Sequence, residues 1–137
     1  MAAWLGKLWT DRITQAHKLL QDIDVDLRKR RLKVYPELWK CTELLPMWPR
    51  VPGVTYEQLM ELSKSLRQWY FETGGMFLSR STHDNAYTPL QEALKNLLES
   101  HPSGEISDAD YELIRKRCST LRTALASDIE SRREGPE

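Results

Sequence analysis

The residues able to do chemistry are few, and most fail the spacing their chemistry needs. Asp22-Ile-Asp-Val-Asp26 puts carboxylates at the first, third and fifth positions, as in the opening of a calcium loop. The sixth position is Leu27, where that loop needs glycine, and the twelfth is Lys33, where it needs glutamate. On a helix the three carboxylates would fan around the surface, so no metal site is expected. His17, His83 and His101 lie far apart and in no zinc-ligand spacing. His83 and Asp84 could support a nucleophile, but neighbours on a helix diverge by about 100°. GxSxG, P-loop and GxGxxG patterns do not occur, and Gly74-Gly75 lacks the lysine and further glycines of a phosphate cradle. Cys41 and Cys118 fall on apolar rows, which predicts buried, inert thiols. No catalytic residue, metal or cofactor is therefore assigned.

Two clusters remain. Arg28, Lys29, Arg30, Arg31 and Lys33 put five cations in six residues. Such a run can contact phosphate, whether of nucleic acid or anionic lipid, or sit as a solvated face near a helix C-terminus. It could also meet the acidic stretch at 99–112, where Glu99, Glu105, Asp108, Asp110 and Glu112 occur with no Lys or Arg. The second cluster is aromatic: Trp69-Tyr-Phe71, then Gly74-Gly75 and Phe77. Three adjacent rings on one helix cannot all face one seam. Tyr70 and Phe71 either pack on the segment carrying Trp39, or Trp39, Tyr70, Phe71 and Phe77 floor a groove for a peptide or small ligand.

The elements that must position these groups read as helices. Leu5, Trp9, Ile13, Ala16, Leu20, Ile23 and Leu27 follow steps of three and four, and from Trp9 to Leu27 the row is close to a strict heptad. One helix is expected from about Ala3 to Lys33, with Pro36 opening a short second helix through Leu38, Cys41 and Leu45. The segment 46–53, with three prolines and a glycine, is a connector. Thr55 with Gln58 forms a capping box for a helix bearing Leu59, Leu62, Leu66 and Trp69, closed by Gly74-Gly75 in a left-handed cap. Met76-Phe-Leu78 reads as a short extended link. A further helix starts at Ser79 or Ser81, and Pro89 either kinks it or marks its true start. Ser107 opens the last helix, with Tyr111, Ile114, Cys118, Leu121 and Leu125 on one side. The fold class is all-α: a helical bundle of four main helices plus a short helix after Pro36, with a long N-terminal helix. Residues 1–27 form the coiled-coil-like N-terminal helix, continuous with a bundle domain at 28–133, and 134–137 is a frayed tail.

Lengths sharpen this. The first helix would extend roughly 46 Å and its neighbours about 30 Å, at 1.5 Å per residue. Its N-terminal part should then overhang, unless it breaks near Asp22–Asp26 and folds back. Overhang would expose Trp4, Leu5, Leu8, Trp9, Ile13, Ala16 and Leu20, a candidate partner or oligomer interface.

Composition bounds the remaining classes. The 137 residues carry 20 Lys+Arg and 20 Asp+Glu, so a strongly basic nucleic-acid binder is not expected. A 40% hydrophobic content with five Trp and five Tyr argues against a disordered chain. No apolar run is long enough for a spanning helix, and no secretory leader pattern occurs. The segments Leu38-Trp-Lys-Cys-Thr-Glu-Leu-Leu-Pro46, Trp69-Tyr-Phe with Gly74-Gly75 and Phe77-Leu-Ser79, and Leu121-Arg-Thr resemble an uncharacterised family of small helical bacterial proteins or domains. The resemblance covers roughly residues 28–133. It implies a tethered or oligomeric helical module and supplies no catalytic residues. The expectation is a non-enzymatic cytoplasmic assembly module that binds itself or another protein through its N-terminal helix. A peripheral membrane protein using Trp4, Leu5, Leu8, Trp9 and the basic cluster is the alternative, and phosphate or nucleic-acid contact through Arg28–Lys33 the third.

Overall fold

A computed structural model describes residues 2–130, with side chains described from Trp9 onward. The long helix α1, Ala2–Cys41, has 40 residues and would extend about 60 Å. It continues unbroken through Pro36, so the separate short helix expected there is the end of α1. Proline removes one N–H and leaves the Leu32 carbonyl without its usual donor. Leu32 and Pro36 both lie on the exposed face, where that carbonyl can be hydrated. Tyr35 and Leu38, on the neighbouring face, are buried and hold the backbone in place.

After the Pro-rich connector comes α2, Tyr56–Trp69, capped at Thr55 as expected: its Oγ1 accepts from Gln58 N–H at 3.2 Å, and Gln58 Oε1 accepts from Thr55 N–H at 2.9 Å. The left-handed cap at Gly74-Gly75 does not form. The chain passes instead into a π turn, Tyr70–Gly74, and a 3-10 turn, Gly75–Phe77, which replaces most of the extended link. Gly74 has φ −138° and Gly75 −57°, so neither is left-handed. What these positions require is space: a Cβ on Gly74 would collide with the Trp69 indole, and one on Gly75 with the Tyr70 carbonyl.

Ser79 caps the next rod, its Oγ accepting from Thr82 N–H at 3.1 Å. The rod comprises α3, Arg80–Thr82, a π turn, His83–Tyr87, and α4, Thr88–Ser100. Helicity thus begins at Ser79, and Pro89 sits in the first turn of α4, where its missing N–H follows a wider turn already out of α-helical register. Gly104, at φ +101°, makes the sharp turn that lets Tyr56 N–H reach its carbonyl at 2.8 Å, while Ile106 N–H bonds Val54 at 2.9 Å. The last helix is α5, Asp108–Glu130, capped by Ser107.

The C-terminal half of α1, α2, the α3–α4 rod and α5 pack up-down-up-down. Arg122 reaches Thr42 and Leu45 while Asp128 reaches Tyr35, so α1 and α5 run antiparallel. Ser63 meets Gln91 and Leu66 meets Tyr87, so α2 and α4 do too. Tyr35, Leu38, Leu66, Trp69, Leu90 and Leu121 lie at the centre of the shared core.

Candidate interaction surface

Among the α1 side chains described, Leu27 and Arg28 are the first to be partly covered by the bundle. Every side chain from Trp9 to Asp26 is exposed. The helix overhangs as its length requires, and it does not fold back at Asp22–Asp26. Trp9, Ile13, Leu20 and Ile23 are 44–68% exposed, and Ala16 is exposed between them. Trp4, Leu5 and Leu8 lie outside the residues whose side chains are described. Beyond Leu27 the same row continues by steps of three and four through Arg31, Tyr35, Leu38 and Thr42, and there the bundle covers it. One apolar face of α1 is therefore packed from Tyr35 to Leu38 and bare from Trp9 to Ile23. Packing of an amphipathic face supplies most of a helix's stability in proteins.

The basic run is spent differently from residue to residue. Arg30 pairs with Asp26 at 3.0 Å, both exposed. Arg31 Nε donates to the Phe77 carbonyl at 2.7 Å, anchoring α1 to the 3-10 turn. The Arg28 Nε is buried with no hydrogen-bond partner among the described residues, while Lys29 and Lys33 are exposed. The acidic stretch does not meet this run within the chain. Asp108 pairs with Arg50 at 2.7 Å, Asp110 accepts from Tyr56 OH at 2.6 Å, and Glu112 pairs with Arg115 at 2.8 Å. These contacts sit at the start of α5, the opposite end of the bundle, because α5 runs antiparallel to α1.

The four rings proposed to floor one groove are divided between two sides of α1. Trp39 lies with Leu32, Pro36, Leu125 and Ile129 along a shallow apolar groove of about 350 Å³ between α1 and α5. Phe77 lies on the other side, near Lys33 and Val34, with the Arg30 guanidinium 5.8 Å from its ring centre. Tyr70 stacks on Tyr87 at 5.1 Å rather than on Trp39, and Phe71 stands edge-on to Tyr70, largely exposed.

A polar cluster that no local pattern announces joins three elements. Asp128 accepts from Tyr35 OH at 2.7 Å, Ser79 Oγ at 2.7 Å and Thr82 Oγ1 at 3.0 Å. Burial, and then the Asp128 carboxylate beside it, push the Tyr35 phenol well above its usual range. This cluster ties α5 to α1 and to the start of α3.

His83 Nδ1 and Asp84 Oδ1 do meet, at 2.8 Å, despite adjacency. Both are part-exposed, and the His83 ring lies near the rings of Tyr70 and Tyr87, at 5.8 and 6.3 Å, rather than beside a serine or cysteine. No group of three His, Cys, Asp or Glu among the described residues could hold a metal ion.

Cys118 is fully buried, and burial pushes its thiol from 9.0 up to about 12. Burial and then Glu37 also raise the half-buried Cys41. A raised folded pKa means the native state holds the proton more tightly. The associated stability is complete below about pH 9 and declines as pH climbs toward 12. Iodoacetamide at pH 8 should label Cys41 slowly and leave Cys118 unmodified in the native protein, with both modified in guanidinium. Peptide mass spectrometry reads the difference, and equal native labelling would contradict the burial of Cys118.

No helix among the described residues is long and apolar enough to cross a membrane. Comparison with family models, curated proteins and solved structures finds no match for the chain.

Proposed function

We propose that this chain is a helical assembly module, a four-helix bundle that presents the overhanging half of α1 for packing against another helix. The observation that carries the reading is the bare row Trp9, Ile13, Ala16, Leu20 and Ile23. It keeps a 3.5-residue period, the repeat that holds two supercoiled helices in contact. A lone surface helix has no need of that regularity. Nor do residues 9–26 have tertiary packing to offset the ordering of about 18 residues, including β-branched Ile13, Ile23 and Val25. Lining a second helix along the row would supply that packing.

Light scattering across a concentration series tests this, on the full chain and on Ile13→Asp/Leu20→Asp. The wild type should gain mass with concentration, while the variant should stay at 16.0 kDa. Its bundle, which neither residue touches, should melt at an unchanged temperature. A wild-type chain that remains monomeric at high concentration would remove self-assembly. Uniform binding to anionic vesicles by both proteins would move the function to the basic run instead.

A further inference from the structure

Resting on that reading, we infer that the partner is a second copy of this chain and that the two α1 helices pair antiparallel, centred at the level of residue 18. The bundle decides the orientation. It covers the row progressively from Arg31 through Tyr35 and Leu38 and leaves Leu27 half-exposed, so the seam is open only as far as Leu27. In a parallel, in-register pair each helix would carry its own covered half alongside the other's. The two bundles would then compete for one space. Antiparallel pairing sends the covered halves to opposite ends.

Charge and size select the register. With Ile13 opposite Ile23 of the second copy, Trp9 falls opposite Leu27 and the small Ala16 opposite Leu20. This brings all six positions of the row from Trp9 to Leu27 into use. The flanking positions then set Arg12 opposite Asp26 of the second copy, twice by symmetry, with Leu19 beside its own copy at the centre. Asp26 is exposed and pairs with Arg30 through Oδ2 at 3.0 Å, and a carboxylate has a second oxygen for a second cation. Flanking charges of this kind choose partner and orientation in paired helices. The parallel register offers Leu19 the Asp24 carboxylate instead.

Spin labels and a charge swap test both parts on the full chain. With Cys118→Ala, a label on Cys41 marks the bundle end. The two labels should be about 69 Å apart along the axis for 46 residues of rise, giving no short distance in a dipolar measurement. A label at Lys18→Cys, in Cys41→Ser/Cys118→Ala, should give a distance of about 20 Å, the width of a helix pair plus the label arms. Arg12→Asp should weaken dimerisation about tenfold, and adding Asp26→Arg should restore it. A dimer by light scattering with close Cys41 labels would overturn the antiparallel arrangement while leaving assembly intact. Distant labels at position 18, or no rescue by the swap, would overturn the pairing or its register, and a monomer would remove both readings.

Discussion

Replacing Asp128 with alanine should destabilise the bundle by about 2 kcal/mol, because three hydroxyls lose their shared acceptor. Tyr35 OH keeps the Phe77 carbonyl at 2.9 Å and Ser79 Oγ keeps Thr82 Oγ1 at 3.0 Å, while the Thr82 hydroxyl keeps none. Tyr35, Ser79 and Thr82 all donate to this carboxylate, and Tyr35 and Thr82 are buried. A buried donor left without a partner keeps its full desolvation cost, which is why the loss exceeds that of one ordinary hydrogen bond. For a bundle of about 100 residues, that corresponds to a fall in melting temperature of about 10 °C. Asp128→Asn keeps the shape but turns one acceptor into a donor facing donors, so it should recover only part of the loss. Thermal unfolding followed by circular dichroism at 222 nm measures both. A change under about 1 kcal/mol in Asp128→Ala would show that water replaces the carboxylate without difficulty. The oligomeric mass should be unaffected while the fold persists, since the cluster lies on the bundle side of α1.

The second large effect concerns Trp69 and Gly74, which should behave as one unit. Trp69 is almost fully buried, donates its indole N–H to the Val34 carbonyl at 3.0 Å, and lies against the Gly74 Cα. Gly74→Ala should cost about 2–3 kcal/mol, because the added methyl enters the space of the ring and the packed core resists adjustment. Trp69→Phe should cost about 2 kcal/mol from the lost volume and hydrogen bond. The double variant should be more stable than the sum of the two losses by about 1–2 kcal/mol, since phenylalanine lacks the outer indole ring that the new methyl would strike. Denaturant midpoints for the four proteins close the cycle. Strict additivity would mean that Gly74 is required for its backbone geometry rather than for room.

Those two sites also mark where the amino-acid pattern was readable and where it was not. Rows spaced by three and four placed Leu59, Leu62, Leu66 and Trp69, and Tyr111 to Leu125, on buried faces, because burial of one helix side leaves a periodic trace. The Thr55–Gln58 box was equally legible, its partners being three residues apart. The overhang followed from arithmetic on helix lengths. Asp128 was invisible, because its partners lie 46 to 93 residues away and only the packed bundle brings them together. Gly74 carried a clear signal that pointed to the wrong cause: the doublet suggested a left-handed cap, whereas the need was clearance beside a ring. Pro36 does not act as a boundary. A proline on the exposed face of a helix loses one hydrogen bond, and the burial of Tyr35 and Leu38 outweighs it. The acidic stretch and the basic run looked complementary in composition, yet the antiparallel course of α5 keeps them at opposite ends of the bundle.

The bare half of α1 also fixes how the molecule moves through water. A rod of roughly 25 residues, about 38 Å long, projects from a body whose longest other helix is about 34 Å. A single chain of this shape drags like a much larger sphere, so its elution volume or sedimentation rate, taken alone, would mimic a dimer. Its rotation is anisotropic as well: turning about the α1 axis is faster than tumbling end over end. Amide relaxation should therefore differ between N–H vectors along α1 and those across it. Antiparallel pairing would lengthen the particle further and slow the end-over-end motion far more than the spin. The ratio of those two rates would give the geometry of the assembly from a backbone measurement, with no label attached.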